Sequence, residues 1–488
     1  MSTTKKDRQR QRHARQLAGA IDRFITPALM RQAHKAFRSS RRTPKPPSQR
    51  PHNRSRPPRR QVTRSPNRRW DLKPLIIVLV SLSWCSGDTL DNRFQKACDF
   101  ANAARPKRRR TGVTFAGFQK ALARLRMSLF QILARGIRDQ FLRQLGPALL
   151  CDGFLPLGCD GSRLECPRTD ELYRHLDPAG NRASAPTLWV TALVHLTTGV
   201  PWYWRVDTGT ASERHHLIQM IEELPENVLL MCDAGYDGFE LALALTRARR
   251  CFLIRLSSKV RLLSEDQVEM ASYREGHVYY WPQEVQKKGR PPLRVRMIRI
   301  AGKTPDKDVW LLTNVLDPQR LSVPQASRFY KMRWENEGMF RTYKRTLKKV
   351  KLVSRTLRAV RREAHGSLLA TQLLLASGAL ALHEKRSGAA AARARSDHRP
   401  EGAPPCSARK ILNAFQSCLD ACRRVDRTPL RERLGQSERD RRDRQGPKQK
   451  REWPRRKPHE PPKPPRILTM TADQKSLLAK HKSDSEAA

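Results

Sequence analysis

Tyr330-Lys-Met-Arg333-Trp-Glu-Asn-Glu337-Gly-Met-Phe-Arg-Thr-Tyr-Lys344 is the most telling run in this chain. On a helix turning about 100° per residue, Tyr330, Arg333, Glu337 and Lys344 share one stripe about 60° wide, and Glu335 points to the far side. A soluble helix normally lays apolar side chains along so narrow a stripe. A charged surface helix is the bland reading of such a run. An aromatic ring, a guanidinium, a carboxylate and an ammonium on one line also suit a surface that grips a phosphate chain beside a metal.

Two aspartates upstream weigh against the bland reading. Leu155-Pro-Leu-Gly-Cys159 leads into Asp160-Gly161-Ser162, and Val228-Leu-Leu-Met-Cys232 leads into Asp233-Ala234-Gly235-Tyr236. Short apolar runs closed by turn residues predict strands buried on both faces. Each aspartate is then expected at a strand end, where open α/β sheets place their ligands. Alone, either acid reads as a turn residue bonding local amides. Two such acids with the helical stripe point instead to a hard, oxygen-ligated cation, for which Mg2+ is the default.

The spacing Tyr-x2-Arg-x3-Glu-x6-Lys resembles the signature of DDE transposases of the insertion sequence 4 type, at all four positions. Asp233-Ala-Gly-Tyr looks like the second-aspartate motif of that family. Asp160-Gly-Ser-Arg-Leu looks like the first, with Ser162 where threonine is common. The resemblance implies an α/β, ribonuclease H-like catalytic core whose metal triad is Asp160, Asp233 and Glu337. It implies two Mg2+ ions, with Mn2+ able to substitute, and a homodimer in the synaptic complex. Tyr330, Arg333 and Lys344 would position DNA, with Tyr330 also a support for an unstacked base.

Charge agrees with a polyanionic partner. The chain has 97 Lys+Arg against 46 Asp+Glu, a net charge of +51, for which nucleic acid is the first candidate. Residues 1–70 hold 21 basic and 2 acidic residues, and residues 385–488 hold 27 and 13. The expected organisation is a basic arm and Pro/Arg-rich linker at 1–70, then a helical region at 71–150 that is a candidate for binding DNA ends. A catalytic domain follows at 151–384. Beyond it lies a basic C-terminal region, 385–488, with one amphipathic helix in an otherwise disordered stretch. The 104 residues from Asp233 to Glu337 leave room for a β-rich insertion at about 257–308, which the resemblance also implies.

Neither Leu75–Trp84 nor Leu368–Leu382 reaches the roughly 20 residues that span a bilayer, so no membrane partner is expected. Ten cysteines without a Cys-x2-Cys pair point to a reducing, cytoplasmic, nucleoid-associated setting rather than a zinc finger. His215 and His216 read as solvated helix residues. The function expected is strand cleavage at the ends of an insertion sequence and transfer into double-stranded target DNA. A ribonuclease H-like nuclease without strand transfer, or a domesticated DNA-binding relic, are the alternatives.

Overall fold

The structure, a computed structural model, describes residues 5–39, 70–87, 89–103, 105, 109–176, 184–304, 307–392, 405–422, 430–436 and 464–486. Six helices come first: α1 (Lys5–Asp22), α2 (Pro27–Ser39), α3 (Leu72–Ser81), α4 (Leu90–Ala103), α5 (Phe115–Ala123) and α6 (Met127–Leu145). A mixed stretch follows with β1 (Leu155–Glu165), α7 (Asp170–His175), β2 (Thr187–His195), β3 (Pro201–Thr208), α8 (Glu213–Ile218), β4 (Val228–Cys232), α9 (Phe239–Arg247) and β5 (Cys251–Arg255). Next come β6 (Arg261–Ser264), β7 (Glu275–Tyr280), α10 (Gln283–Lys287), β8 (Leu293–Ile300) and β9 (Val309–Thr313). The chain then forms α11 (Val323–Met332), α12 (Trp334–Arg341) and α13 (Leu357–Ala392). It closes with α14 (Ala408–Ala421), α15 (Leu430–Gly435), β10 (Arg466–Thr469) and α16 (Ala472–Glu486).

All ten described strands join one mixed sheet in the order β10-β6-β7-β8-β9-β5-β4-β1-β2-β3. The strands β1, β4 and β5 run parallel, while β2 and β3 continue the edge as antiparallel partners. The apolar runs before the two aspartates do form buried strands, but the turn expected after Asp160 is absent. β1 continues to Glu165, still paired with β2 through Glu165↔Thr187. What ends at Gly158 is the ladder with β4, so the two-sided apolar pattern stops there although the strand does not. Residues 261–300, read from sequence as part of a β insertion, supply β6, β7 and β8 and widen this same sheet.

Alternation along the strands sends neighbouring side chains to opposite faces. Leu155, Leu157, Cys159, Leu230 and Cys232 belong to the main core, shared with the N-terminal helices and α13. Phe154, Leu229 and Met231 belong to a second cluster closed by Phe329 and Tyr330 of α11. Asp160 and Asp233 have the parity of this second set. The region Leu357–Ser387 of α13 is long and apolar enough to cross a membrane, and its most apolar window is wholly buried within the fold.

The N-terminal basic arm requires correction. Positions 5–39 form two helices and the turn between them, and Leu17, Ile21 and the turn residue Phe24 are at most 1% exposed within the main core. Their charge hid an apolar stripe that the composition of residues 1–70 averaged away. The C-terminal region is likewise more ordered than expected, since β10 pairs in parallel with β6 and α15 packs beside α13 and α14. The linker at 40–69 and the stretch 442–463 lie outside the described residues. Phe24→Ala should therefore lower the unfolding free energy by about 3–5 kcal/mol. A denaturant midpoint unchanged by the substitution would mean that α1 and α2 do not dock.

Candidate active site

The parallel ladder of β1 and β4 ends with the pair Gly158↔Met231. Asp160 and Asp233 each lie two residues beyond that pair, so the register sets them side by side on one face. Each commits one oxygen to a local amide: Gly161 N–H donates to Asp160 Oδ1 and Gly235 N–H to Asp233 Oδ1, both at 2.8 Å. The other carboxylate oxygen of each has no hydrogen bond among the described residues. Both side chains are half-buried.

The helical stripe arrives differently from the sequence reading. Ser322 caps α11 in a reciprocal box with Gln325, and an Arg328–Asp152 ion pair ties the helix to the chain just before β1. The run is not one uniform helix. It tightens at Arg333, where Arg333 N–H bonds Tyr330 and Asn336 N–H bonds Arg333, each three residues back. It then widens into a π-helical turn at Thr342–Thr346. The changes of winding rotate the four side chains off their common line. Tyr330 turns into the second core cluster and is 7% exposed, so it braces the site from beneath rather than offering an open platform for a base. Glu337 is exposed and carries no hydrogen bond or ion pair among the described residues.

Asn336 fixes where α12 lies. It is fully buried against Gly158, where a Cβ would stand 2.4 Å from the amide nitrogen Nδ2. Only glycine at that position lets α12 approach β1 so closely, two residues below Asp160. Both polar atoms of the Asn336 amide lack a hydrogen bond among the described residues. Arg333, one turn earlier, holds its guanidinium 4.8 Å from the Trp334 ring centroid and 5.7 Å from that of Tyr330.

Electrostatics link these groups. Burial pushes the Asp160 carboxyl up to about 6, and Glu213 and Asp233 push in the same direction, against the Gly161 N–H and Arg333. Burial also lowers the Lys344 ammonium, which Asp160 partly offsets. The structure therefore couples Asp160 with Asp233, Arg333 and Lys344, and Glu337 stands outside that set. Among the described residues no three His, Cys, Asp or Glu side chains converge as a ready metal site.

Two residues escaped the sequence reading. Glu213, the first residue of α8, lies on the opposite face: a Cβ at Gly161 would stand 2.4 Å from its Oε1. Its carboxylate takes a hydrogen bond from the Tyr236 hydroxyl, and burial raises its pKa. The Ser212 N-cap marked the helix start, but nothing in the local sequence tied that helix to Asp160. Trp334 is 61% exposed beside Arg333, a large aromatic surface open to solvent. Of the paired histidines, His215 is exposed as expected. His216 is instead buried, its Nδ1 2.8 Å from Thr191 Oγ1.

The Asp160 shift has a sign that can be measured. A carboxyl whose folded pKa lies above its unfolded value destabilises the fold as pH rises between the two, from about 3.8 to about 6. In EDTA, Asp160→Asn should raise the melting temperature at pH 7.5 through a gain of at most about 3 kcal/mol. That gain should vanish near pH 4. Equal stabilisation at both pH values would remove ionisation as the cause.

Comparison with known proteins bears on the same residues. Residues 159–373 match the family model described as "Transposase DDE domain". The transposase InsG for insertion sequence element IS4 of Escherichia coli (strain K12) is 26% identical over 220 residues, covering 43% of this chain and 48% of that protein. The chain thus spans about half the length of this curated relative. A cryo-EM structure of a piggyBac transposase synaptic complex with hairpin DNA is 12% identical with a TM-score of 0.39, over 87% of this chain and 85% of that one. The family match encloses Asp160, Asp233, Tyr330, Arg333, Glu337 and Lys344, and over residues 159–373 the chain is similar to the transposase DDE domain.

Proposed function

We propose that this protein is a DDE transposase that cuts the ends of an insertion sequence and joins them to target DNA. The observation that carries this reading is the placement of Asp160 and Asp233 side by side, with Arg333 and Lys344 coupled to Asp160. The strand order β3-β2-β1-β4-β5, with β1, β4 and β5 parallel, supports a ribonuclease H-like core.

The donor set fits a divalent metal. Asp160 and Asp233 each present an uncommitted oxygen, and two adjacent carboxylates beside a buried strand lack a counter-charge among themselves. Asp160, Asp233 and Glu337 would hold Mg2+, or Mn2+ in its place. When bound, such ions steady the attacking and leaving oxygens of a phosphodiester. Glu337, exposed on α12, would complete the set.

The remaining roles belong to side chains of this site. The Arg333 guanidinium is a planar fork whose Nε has no hydrogen-bond partner among the described residues, suited to a bidentate phosphate contact. Lys344 adds a point charge. Trp334 offers a stacking face next to Arg333, and Tyr330 supports Arg333 from the core. In the first step water attacks phosphorus and the bond to the 3′ oxygen breaks. In the second, the freed 3′-hydroxyl attacks a target phosphorus and displaces the 3′ oxygen of the target strand, which leaves as a hydroxyl. Action as a homodimer on two element ends is part of the proposal.

The test uses a duplex made from the DNA that flanks the gene, where the proposal expects terminal inverted repeats. Asp160→Asn, Asp233→Asn and Glu337→Gln should each lower cleavage by roughly 10³-fold or more, because a metal ligand acts on chemistry. Binding, which rests on phosphate contacts, should change little. Arg333→Lys should be severely impaired as well, since lysine cannot reproduce the fork. Cleavage without joined element–target products would reduce the protein to a nuclease, and near-normal cleavage by any acid variant would remove that residue from the triad.

A further inference from the structure

A cavity of about 760 Å³ opens between the helical region and the segment after the catalytic helix. Its floor is apolar, formed by Leu79, Leu82, Leu90, Phe115, Phe118 and Leu122. Its rim is cationic: Lys120, Lys348, Arg355 and Arg358 are exposed and form no ion pair among the described residues. Among the described residues Glu363 is the one acid in the lining, and it already faces Lys349 at 3.8 Å while accepting the Val353 and Ser354 amides. The volume lies in the range of pockets that enclose small ligands, roughly 300–1,000 Å³. Val353 stands 49% exposed on the lip.

An apolar floor under unpaired cations fits a ligand with a flat apolar body and anionic links. A B-form duplex hides its base faces against one another and offers phosphates and groove edges, but no flat apolar face. An unstacked base on a single strand offers both surfaces at once, stacking on aromatic rings while its phosphates meet the rim. The location adds an argument. β1 runs from Asp160 to Glu165, and Glu165 bonds Lys351 on the cavity wall at 3.0 Å. Five strand residues span about 17 Å, so the cavity wall lies within a few nucleotides of the two aspartates.

We infer that this cavity binds an unpaired stretch of DNA, holding one base on the Phe115 and Leu82 floor a few nucleotides from the cut. The inference rests on the transposase reading for its nucleic acid, but it concerns a second site with its own residues. The helical region 71–150 then holds an opened strand beside the catalytic face, beyond any part it plays in binding duplex ends.

The experiment uses the full chain carrying Asp160→Asn, without added metal, and a single-stranded 12-mer of thymidine containing one 5-iodouracil. Photo-crosslinks mapped by mass spectrometry should fall on peptides containing Phe115, Gln119 or Val353. A variant with Lys348→Ala, Arg355→Ala and Arg358→Ala should lose those crosslinks at least tenfold and keep any at the N- and C-terminal basic segments. The same variant should lower the slope of log affinity against log salt by about 2, at roughly 0.7 per phosphate contact on a single strand. An abasic 12-mer should bind more weakly than the thymidine strand. Crosslinks confined to other regions, or an abasic strand binding equally well, would overturn the inference. Either result leaves cleavage by the wild-type chain untouched, so failure here is distinct from failure of the transposase reading.

Discussion

Four backbone pairs hold the candidate chemistry together. The ladder from Leu155↔Val228 to Gly158↔Met231 is parallel, and in a parallel ladder equal steps along both strands keep residues level. Asp160 and Asp233 are level for that reason alone. A slip of one residue would send one carboxylate to the main core and separate the pair across the sheet. Leu157, Leu230 and Cys232, all fully buried, resist such a slip because it would expose them.

On that base the helix is seated by a single close contact. Asn336 occupies the space that a side chain at Gly158 would fill, and everything further along α12 takes its position from there. Arg333 is placed one turn before the contact, and the widened turn at 342–346 brings Lys344 within reach of Asp160. A π turn changes the rotation per residue without breaking the helix, which is how functional side chains are commonly re-aimed. The irregular winding around Glu337 is thus part of how the positive groups reach the aspartate.

Much of this was legible in the chain. The two apolar runs announced β1 and β4, and the fixed spacing from Tyr330 to Lys344 announced the helix that meets them. What stayed hidden followed from averaging or from distance. Net charge over residues 1–70 concealed Leu17, Ile21 and Phe24, because a helix needs only a narrow apolar stripe to dock. Uniform 100° geometry placed Tyr330 beside Glu337, and the tight turn at Arg333 undid that. Glu213 was invisible because its contact with Gly161 joins two segments that only the β1–β2 pairing and α8 bring together.

The electrostatic arrangement also separates two kinds of acid at one strand. Asp160 and Asp233 share a face with Arg333 and Lys344, whereas Glu213 sits behind the strand, held by the Tyr236 hydroxyl. Its charge reaches Asp160 through the sheet and helps to raise that carboxyl. A negative group fixed behind the site makes the front face hungrier for positive charge, whether from a cation or from the guanidinium and ammonium already poised there. The cost of crowding three carboxylates is borne by a strand whose register is locked on both faces by apolar packing, and such packing lets an unfavourable charge cluster persist until a partner arrives.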